Sequence, residues 1–414
     1  MRAAGSRLRS ERGQPTLRRV RARLLPELLA AACVGLFYVL AWPDLDTLHA
    51  SVDFNARPFE DFRGAYLPAA EELARTGLPA PGFYYSPAFA LLFVALASLG
   101  ETVATRIWLG VEVLATSAVL LLALWLANLS SGAWRGLWWL FALGSFPLLH
   151  NLHWGQASVL LVALVLGSAV AARRGRPLVA GLLLALSIAI KFHPVLFLAV
   201  FLVLENWRAA LAATLASALL LLALPAGWLG WEGTLEYYRA LVEGVRAAEA
   251  SPRLWAEAAN RQDLAAVGER LLALPAGGLA VLGWAVTAAN LWLVGLLAAR
   301  GHPRALRWGF FLAFASLPLA VGPAWPHWFA WLPFCQLVLL AEAAAPELPA
   351  GTRRVVRSAA VLSGALASVF LFRFVDDAQG YGHAGLLLLA DLAVLFGGYV
   401  LLAWERRAAA SARA

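Results

Sequence analysis

The chain has 414 residues, of which 61% are hydrophobic and only 14% charged, with a mean hydropathy of +0.71. A soluble domain carries about a quarter of its residues as charge, so a soluble fold is excluded. The formal net charge of +8 sits in the N-terminal tail and a few short loops, which reads as membrane topology and implies no nucleic-acid partner.

Residues 1–23 form a basic tail with eight arginines, and the apolar stretch 24–42 follows. That stretch is long enough to span and lacks a small-x-small cleavage site, which predicts an uncleaved first helix. Further crossings are predicted at 103–127, 136–150, 156–172, 177–190, 193–205, 207–226, 277–299, 308–322, 325–341, 355–374 and 384–404. About 20 apolar residues at 1.5 Å each cross a hydrocarbon core of about 30 Å. Pro177, Pro194, Pro318 and Pro333 are placed to cap or kink these helices. The expected fold class is all-α, a polytopic transmembrane helical bundle of about twelve crossings with both termini inside. It forms a single domain over 24–404, with cytoplasmic tails at 1–23 and 405–414 and outer loops at 43–102 and 227–276. Cys33 and Cys335 lie in apolar blocks and are expected to be reduced core residues.

The apolar stretch 83–99 decides the topology. Counted as a crossing, it puts Arg173, Arg174 and Arg176 outside, together with Arg300, Arg304 and Arg307. Left out, those loops face the cytoplasm with Arg353, Arg354, Arg357, Arg406 and Arg407, as the positive-inside rule favours. The stretch is therefore expected to be re-entrant or to lie at the outer interface. Six of the seven histidines then fall at or near the outer face (His49, His150, His153, His193, His327 and His383), and only His302 sits inside. Chemistry is expected on that outer side.

Lys191 is the only lysine; the other basic residues are arginine. A lone lysine at the outer end of an apolar helix, before His193-Pro194, suggests a need for a compact ammonium, which is a good phosphate ligand. A snorkelling lysine at a helix end is the plainer reading. Asp61 opens an amphipathic run to Thr76, read as an interfacial helix; a carboxylate there can act as a general base. A solvated loop acid reads the same way, and Asp53 is the competing candidate. His327 sits in a proline-broken, tryptophan-rich segment, 322–328, where it can bind a sugar hydroxyl or phosphate or simply belong to an aromatic belt. The run His153-Trp154-Gly155-Gln156 places polar groups at a helix start, where free N–H groups favour anions. Glu112 and Asp391 lie within crossings and read as buried, hydrogen-bonded acids without identifiable partners. Asp44-Leu45-Asp46 matches an acidic metal pair only as a short match in an acidic loop, and no Walker loop, dinucleotide fingerprint, HExxH or cysteine cluster occurs.

The ordered set of motifs resembles the GT-C membrane glycosyltransferases, specifically glycosyltransferase family 87. It begins with Asp61-x-x-x-x-Tyr66-x-x-Ala69 and Gly77, then Tyr84-Tyr85-Ser86-Pro87. Next come Gly155-Gln156, Ala180-Gly181, Ala189-Ile190-Lys191-x-x-Pro194 and Asn206-Trp207-Arg208, followed by Asn260-Arg261-Gln262 and Trp325-Pro326-His327. The resemblance implies an inverting, metal-independent transferase with no cofactor. Its donor would be a polyprenyl-phosphate sugar, usually mannose, and its acceptor a glycolipid or glycan on the extracytoplasmic side of the membrane bilayer. By this likeness Asp61 would be the base, while Lys191 and His327 would hold the departing phosphate or the sugar. Gln156 and Arg63 would be further substrate contacts, and Tyr85 and other aromatics would stack on sugar faces. His193 departs from the expected pattern and can add a second phosphate ligand. Juxtamembrane helices in the first outer loop also fit this class. Twelve crossings suit a secondary transporter too, although no clear internal repeat is visible, and an isoprenoid-lipid flippase would use a similar groove without Asp61 as base.

Overall fold

A computed structural model describes residues 17–41, 58–80, 82–130, 132–249, 258–375 and 378–411. Asp44, Asp46, His49 and Asp53 lie outside the described residues. The helices, in chain order, are α1 (Leu17–Ala41), α2 (Leu67–Thr76), α3 (Pro87–Ala97), α4 (Glu101–Ala127), α5 (Ala133–Leu143) and α6 (Phe146–Trp154). There follow α7 (Ser158–Arg173), α8 (Pro177–Ile190), α9 (Val195–Val203), α10 (Trp207–Ala218), α11 (Leu224–Glu249) and α12 (Leu264–Leu272). The last six are α13 (Ala276–Ala299), α14 (Ala305–Ala320), α15 (Leu332–Glu342), α16 (Ala350–Leu366), α17 (Ala378–His383) and α18 (Leu386–Ser411). Among the described residues no strand forms. In so apolar a chain, helices satisfy their backbone groups without water.

Among the described residues four helices are long and apolar enough to cross a membrane: Glu101–Ala127, Trp207–Ala247, Ala276–Ala299 and Leu386–Ala408. Other predicted crossings are shorter or broken. The stretch 136–150 divides between α5 and α6 because its backbone is engaged elsewhere. Phe146 N–H donates to Ala367 O at 2.8 Å, and Val369 N–H donates to Gly144 O at 2.9 Å. The same exchange ends α16. The stretch 193–205 contracts to the nine residues of α9, since Lys191–Pro194 forms a turn. Helix α10, by contrast, runs on through a π-helical turn at Leu219–Ala223 into α11, which kinks at Gly230. The segment 227–276, read from sequence as an outer loop, is therefore helical as far as Glu249 and again in α12. The difficult stretch 83–99 contains α3, whose 11 residues rise only about 16 Å.

The core centres on α14 and α15, which are buried on nearly every face, with Phe310, Phe311, Phe314, Trp331 and Phe334 stacked between them and their neighbours. The surrounding helices turn leucines outward: Leu114, Leu178 and Val281 are each more than 70% exposed. Cys335 is buried, but Cys33, expected in the core, lies on the exposed face of α1. Close helix crossings rely on missing side chains. A Cβ on Gly283 would lie 1.7 Å from Leu319 O, so only glycine lets α13 and α14 approach this closely. Beside that crossing Asn290 donates to Ser316 Oγ at 2.9 Å and accepts from Tyr399 at 2.7 Å, tying α13, α14 and α18.

The two ends of the bundle differ in chemistry. At one, Arg304 and Arg307 both pair with Glu342, Arg304 also reaches Glu405 at 2.6 Å, and Arg307 donates to Ala127 O at 3.2 Å. Arg173 and Arg174 lie over Trp125 at 4.9 and 4.8 Å, and Arg173 donates to Leu126 O. Cations collected around the last turn of α4 meet the negative end of its dipole. At the other end a smaller aromatic core forms from Phe62, Tyr66, Phe83, Tyr85, Phe89, Phe93 and Trp108. Between Trp108 and Leu126, α4 rises about 27 Å, close to the thickness of a hydrocarbon core.

Candidate active site

Asp61 sits where the chain enters the aromatic core. The next five residues, Phe62–Tyr66, form a π-helical turn, wider than an α-turn, which brings residues five apart onto one face. Asp61 and Tyr66 are thereby both directed at Gln156. Phe62 anchors the turn by stacking on Trp108, 5.5 Å between ring centroids.

The motif Tyr84-Tyr85-Ser86-Pro87 builds the adjoining wall. Ser86 caps α3, accepting from Phe89 N–H at 3.2 Å, and Pro87 takes the first helical position, where its missing N–H costs nothing. The Ser86 hydroxyl also donates to Ala189 O, two residues before Lys191, fastening this wall to the end of α8. Tyr85 thereby reaches the site, with its hydroxyl 2.8 Å from that of Tyr66.

Gln156 stands on the tight turn between α6 and α7. Gly155 ends α6 in a left-handed conformation, φ 65°, and a Cβ there would lie 2.8 Å from the Phe59 ring and 3.0 Å from Phe62 Cβ. Both conditions call for glycine. The same residue's carbonyl accepts from Trp108 Nε1 at 2.7 Å. The Gln156 side chain is the hub of the site. Its Nε2 donates to Asp61 Oδ2, and its Oε1 lies 3.1 Å from the Tyr66 hydroxyl, 3.0 Å from the Tyr85 hydroxyl and 3.5 Å from Lys191 Nζ.

Lys191 caps the end of α8 and is half-buried. Its ammonium lies 5.0 Å from the centroid of the Tyr85 ring and 5.4 Å from that of Trp328, a two-sided aromatic seat. Burial pushes its pKa down to about 8, against the opposing pull of Asp61. Burial also pushes the Tyr66 and Tyr85 phenols up, so at neutral pH both remain hydrogen-bond donors. His193 stacks on the far side at 4.4 Å from Trp328, and His327, buried, lies 5.5 Å from the His150 ring, which in turn stacks on Trp154.

Of the residues singled out from sequence, Asp61, Gln156, Tyr85 and Lys191 come into one contact network, with His193 and His327 joined to it through Trp328 and its chain neighbour. Arg63 instead turns to Glu101, 3.2 Å away on the exposed rim. Tyr66 and Trp328 are site residues whose roles were not assigned from sequence. The five-residue spacing from Asp61 was a signal for Tyr66, whereas nothing local marks Trp328 as the seat of Lys191. The two acids within predicted crossings find partners: Glu112 accepts from Asn151, and Asp391 accepts from Trp331 Nε1 at 3.4 Å. Among the described residues no group of three His, Cys, Asp or Glu side chains converges as a metal cage would.

The arrangement offers a carboxylate able to take a proton, an ammonium able to meet an anion, and neutral donors and aromatic faces between them. Residues 83–316, more than half of the chain, match the family model for glycosyltransferase family 87. No curated protein and no solved structure matches.

Proposed function

The chain belongs to glycosyltransferase family 87, and on that premise we propose that it moves a sugar, mannose first, from a polyprenyl-phosphate donor to a lipid-linked or envelope glycan. The reaction takes place at the extracytoplasmic face of the cell membrane, in a GT-C-like bundle of about twelve crossings. The observation that carries this reading is the placement of Asp61 and Lys191 on the two ends of the Gln156 side-chain amide. A single displacement with inversion needs a base on the acceptor side and a cation on the leaving-group side, with the anomeric carbon between them.

Asp61 accepts the proton of the acceptor hydroxyl as that oxygen bonds to the anomeric carbon. The bond from that carbon to the phosphate oxygen breaks, and the electron pair leaves with the phosphate. The Lys191 ammonium offsets the charge that develops there, in surroundings where partial burial strengthens the contact. Asp61, now a carboxylic acid, returns its proton to water. A leaving monophosphate carries less charge than a diphosphate, and one ammonium with neutral donors such as Tyr85, His193 and His327 is proportionate to it, which is the basis for proposing metal independence. Tyr85 and Trp328 hold the Lys191 ammonium between their rings. The polarity of the bundle supports the assignment of sides: arginines gather about 27 Å along α4 from the aromatic core that holds Asp61, as the positive-inside rule requires of a cytoplasmic end.

The test is transfer by the purified chain in lipid, given radiolabelled polyprenyl-phosphate mannose, glucose or arabinose and a membrane glycolipid extract. Label moving to glycolipid in the presence of a chelator supports the reading. Folded protein that transfers none of the three sugars would count against it.

A further inference from the structure

Behind the Gln156 turn lies a buried polar pair that the chemistry above does not use. Glu112, in the middle of α4, and Asn151, on α6, are both fully buried, and Asn151 Nδ2 donates to Glu112 Oε2. The rest of Asn151 is spent on the turn. Its side-chain Oδ1 accepts from Val159 N–H at 3.1 Å, and its main-chain carbonyl accepts from Gln156 N–H at 3.0 Å. Asn151 thus grips both sides of the three-residue passage from α6 into α7, on which Gln156 is mounted. Val159 N–H can only donate, so it takes the Asn151 side-chain oxygen. That leaves the amide nitrogen for Glu112, whose carboxyl oxygen accepts from it. A continuous chain of contacts then runs from Glu112 through Asn151 and Gln156 to Asp61.

We infer that Glu112 and Asn151 are positioning residues for transfer: they fix the Gln156 turn so that its amide aligns the Asp61 carboxylate. This rests on Asp61 being the base. A carboxyl placed within a membrane helix is costly, and a merely structural contact would be replaceable by apolar packing. The role is to hold geometry at a site about three contacts away, where a displacement on the order of 1 Å costs on the order of a hundredfold in rate.

The test is a double-mutant cycle on the full chain in lipid, using whichever of the three radiolabelled donors the parent chain transfers. Glu112→Leu fills the space without a polar group and is expected to lower kcat by about tenfold to a hundredfold with the KM for donor little changed. In a Gln156→Ala background the same substitution is expected to add nothing, because the link it acts through is gone. Glu112→Gln, whose carbonyl can still accept from Asn151, is expected to restore most of the rate. Asn151→Ala enters the contact from its other side and covers the case in which Glu112→Leu does not fold. Losses that multiply fully in the Gln156→Ala background would overturn the inference and assign the pair a general structural role. A structure of Glu112→Leu gives an answer independent of activity: the Asp61–Gln156 contact is expected to be lost while the helices superpose, and an intact contact overturns the inference. If Asp61→Asn proves fully active, the reading of the base fails instead, which the cycle alone does not decide.

Discussion

The side-chain amide of Gln156 donates to the carboxylate of Asp61 across a separation of 95 residues, joining the start of the first aromatic segment to the turn before α7. The same amide, at its oxygen, meets two tyrosine hydroxyls and Lys191. One neutral side chain therefore bridges the Asp61 carboxylate and the Lys191 ammonium.

Lys191→Ala is expected to weaken donor binding by about 1.5–3 kcal/mol, the range for a hydrogen bond to a charged group. Acceptor affinity should change little. Titrating donor and acceptor separately checks this, and a change confined to the acceptor would place Lys191 away from the phosphate.

Donor binding should also fall at alkaline pH. Burial holds the Lys191 pKa at about 8, below the ordinary lysine value. The ammonium is present below that pH and is lost as pH rises through it, so KM for donor should climb above about pH 8. Stability moves the other way. Between pH 8 and the unfolded lysine value the unfolded chain binds more protons, and the contribution of this group to stability rises with pH. An alkaline loss of donor binding with no loss of thermal stability would therefore be the signature of Lys191, and an activity profile flat to pH 10 would contradict its role.

Gly155→Ala should cost about 1–3 kcal/mol for a non-glycine residue in a left-handed conformation, before any clash is counted. The added methyl also pushes into Phe59 and Phe62, on either side of Asp61 in the chain. Transfer is expected to fall further than stability, as seen by comparing kcat with the midpoint of thermal unfolding. Unchanged kcat would mean that the turn does not position the base.

Much of this site was legible because its parts carry local signals. The lone lysine stood out against an arginine-biased chain, and Asp61, Tyr66 and Tyr85 belong to short motifs. An all-helical bundle followed from hydropathy alone. What escaped depends on contacts between distant segments. Glu112 showed no partner in sequence because Asn151 reaches it from another helix, and Trp328 resembled an ordinary belt residue until α8 set Lys191 over its ring. The break in 136–150 was hidden for the same reason, since the backbone groups that interrupt it belong to residues 367–369. Arg63 follows Asp61 by two residues, a spacing that turns it toward the rim and Glu101.

The most direct test of the account is Asp61→Asn, assayed for transfer of radiolabelled polyprenyl-phosphate sugar in lipid beside a measurement of donor binding. The amide keeps the size of the side chain and loses the capacity to take a proton. Transfer should fall by about 10²–10⁴-fold, the contribution of a positioned general base, while donor affinity and thermal stability stay near those of the parent chain. Full transfer by Asp61→Asn would contradict the central claim and move the role of base to another carboxylate.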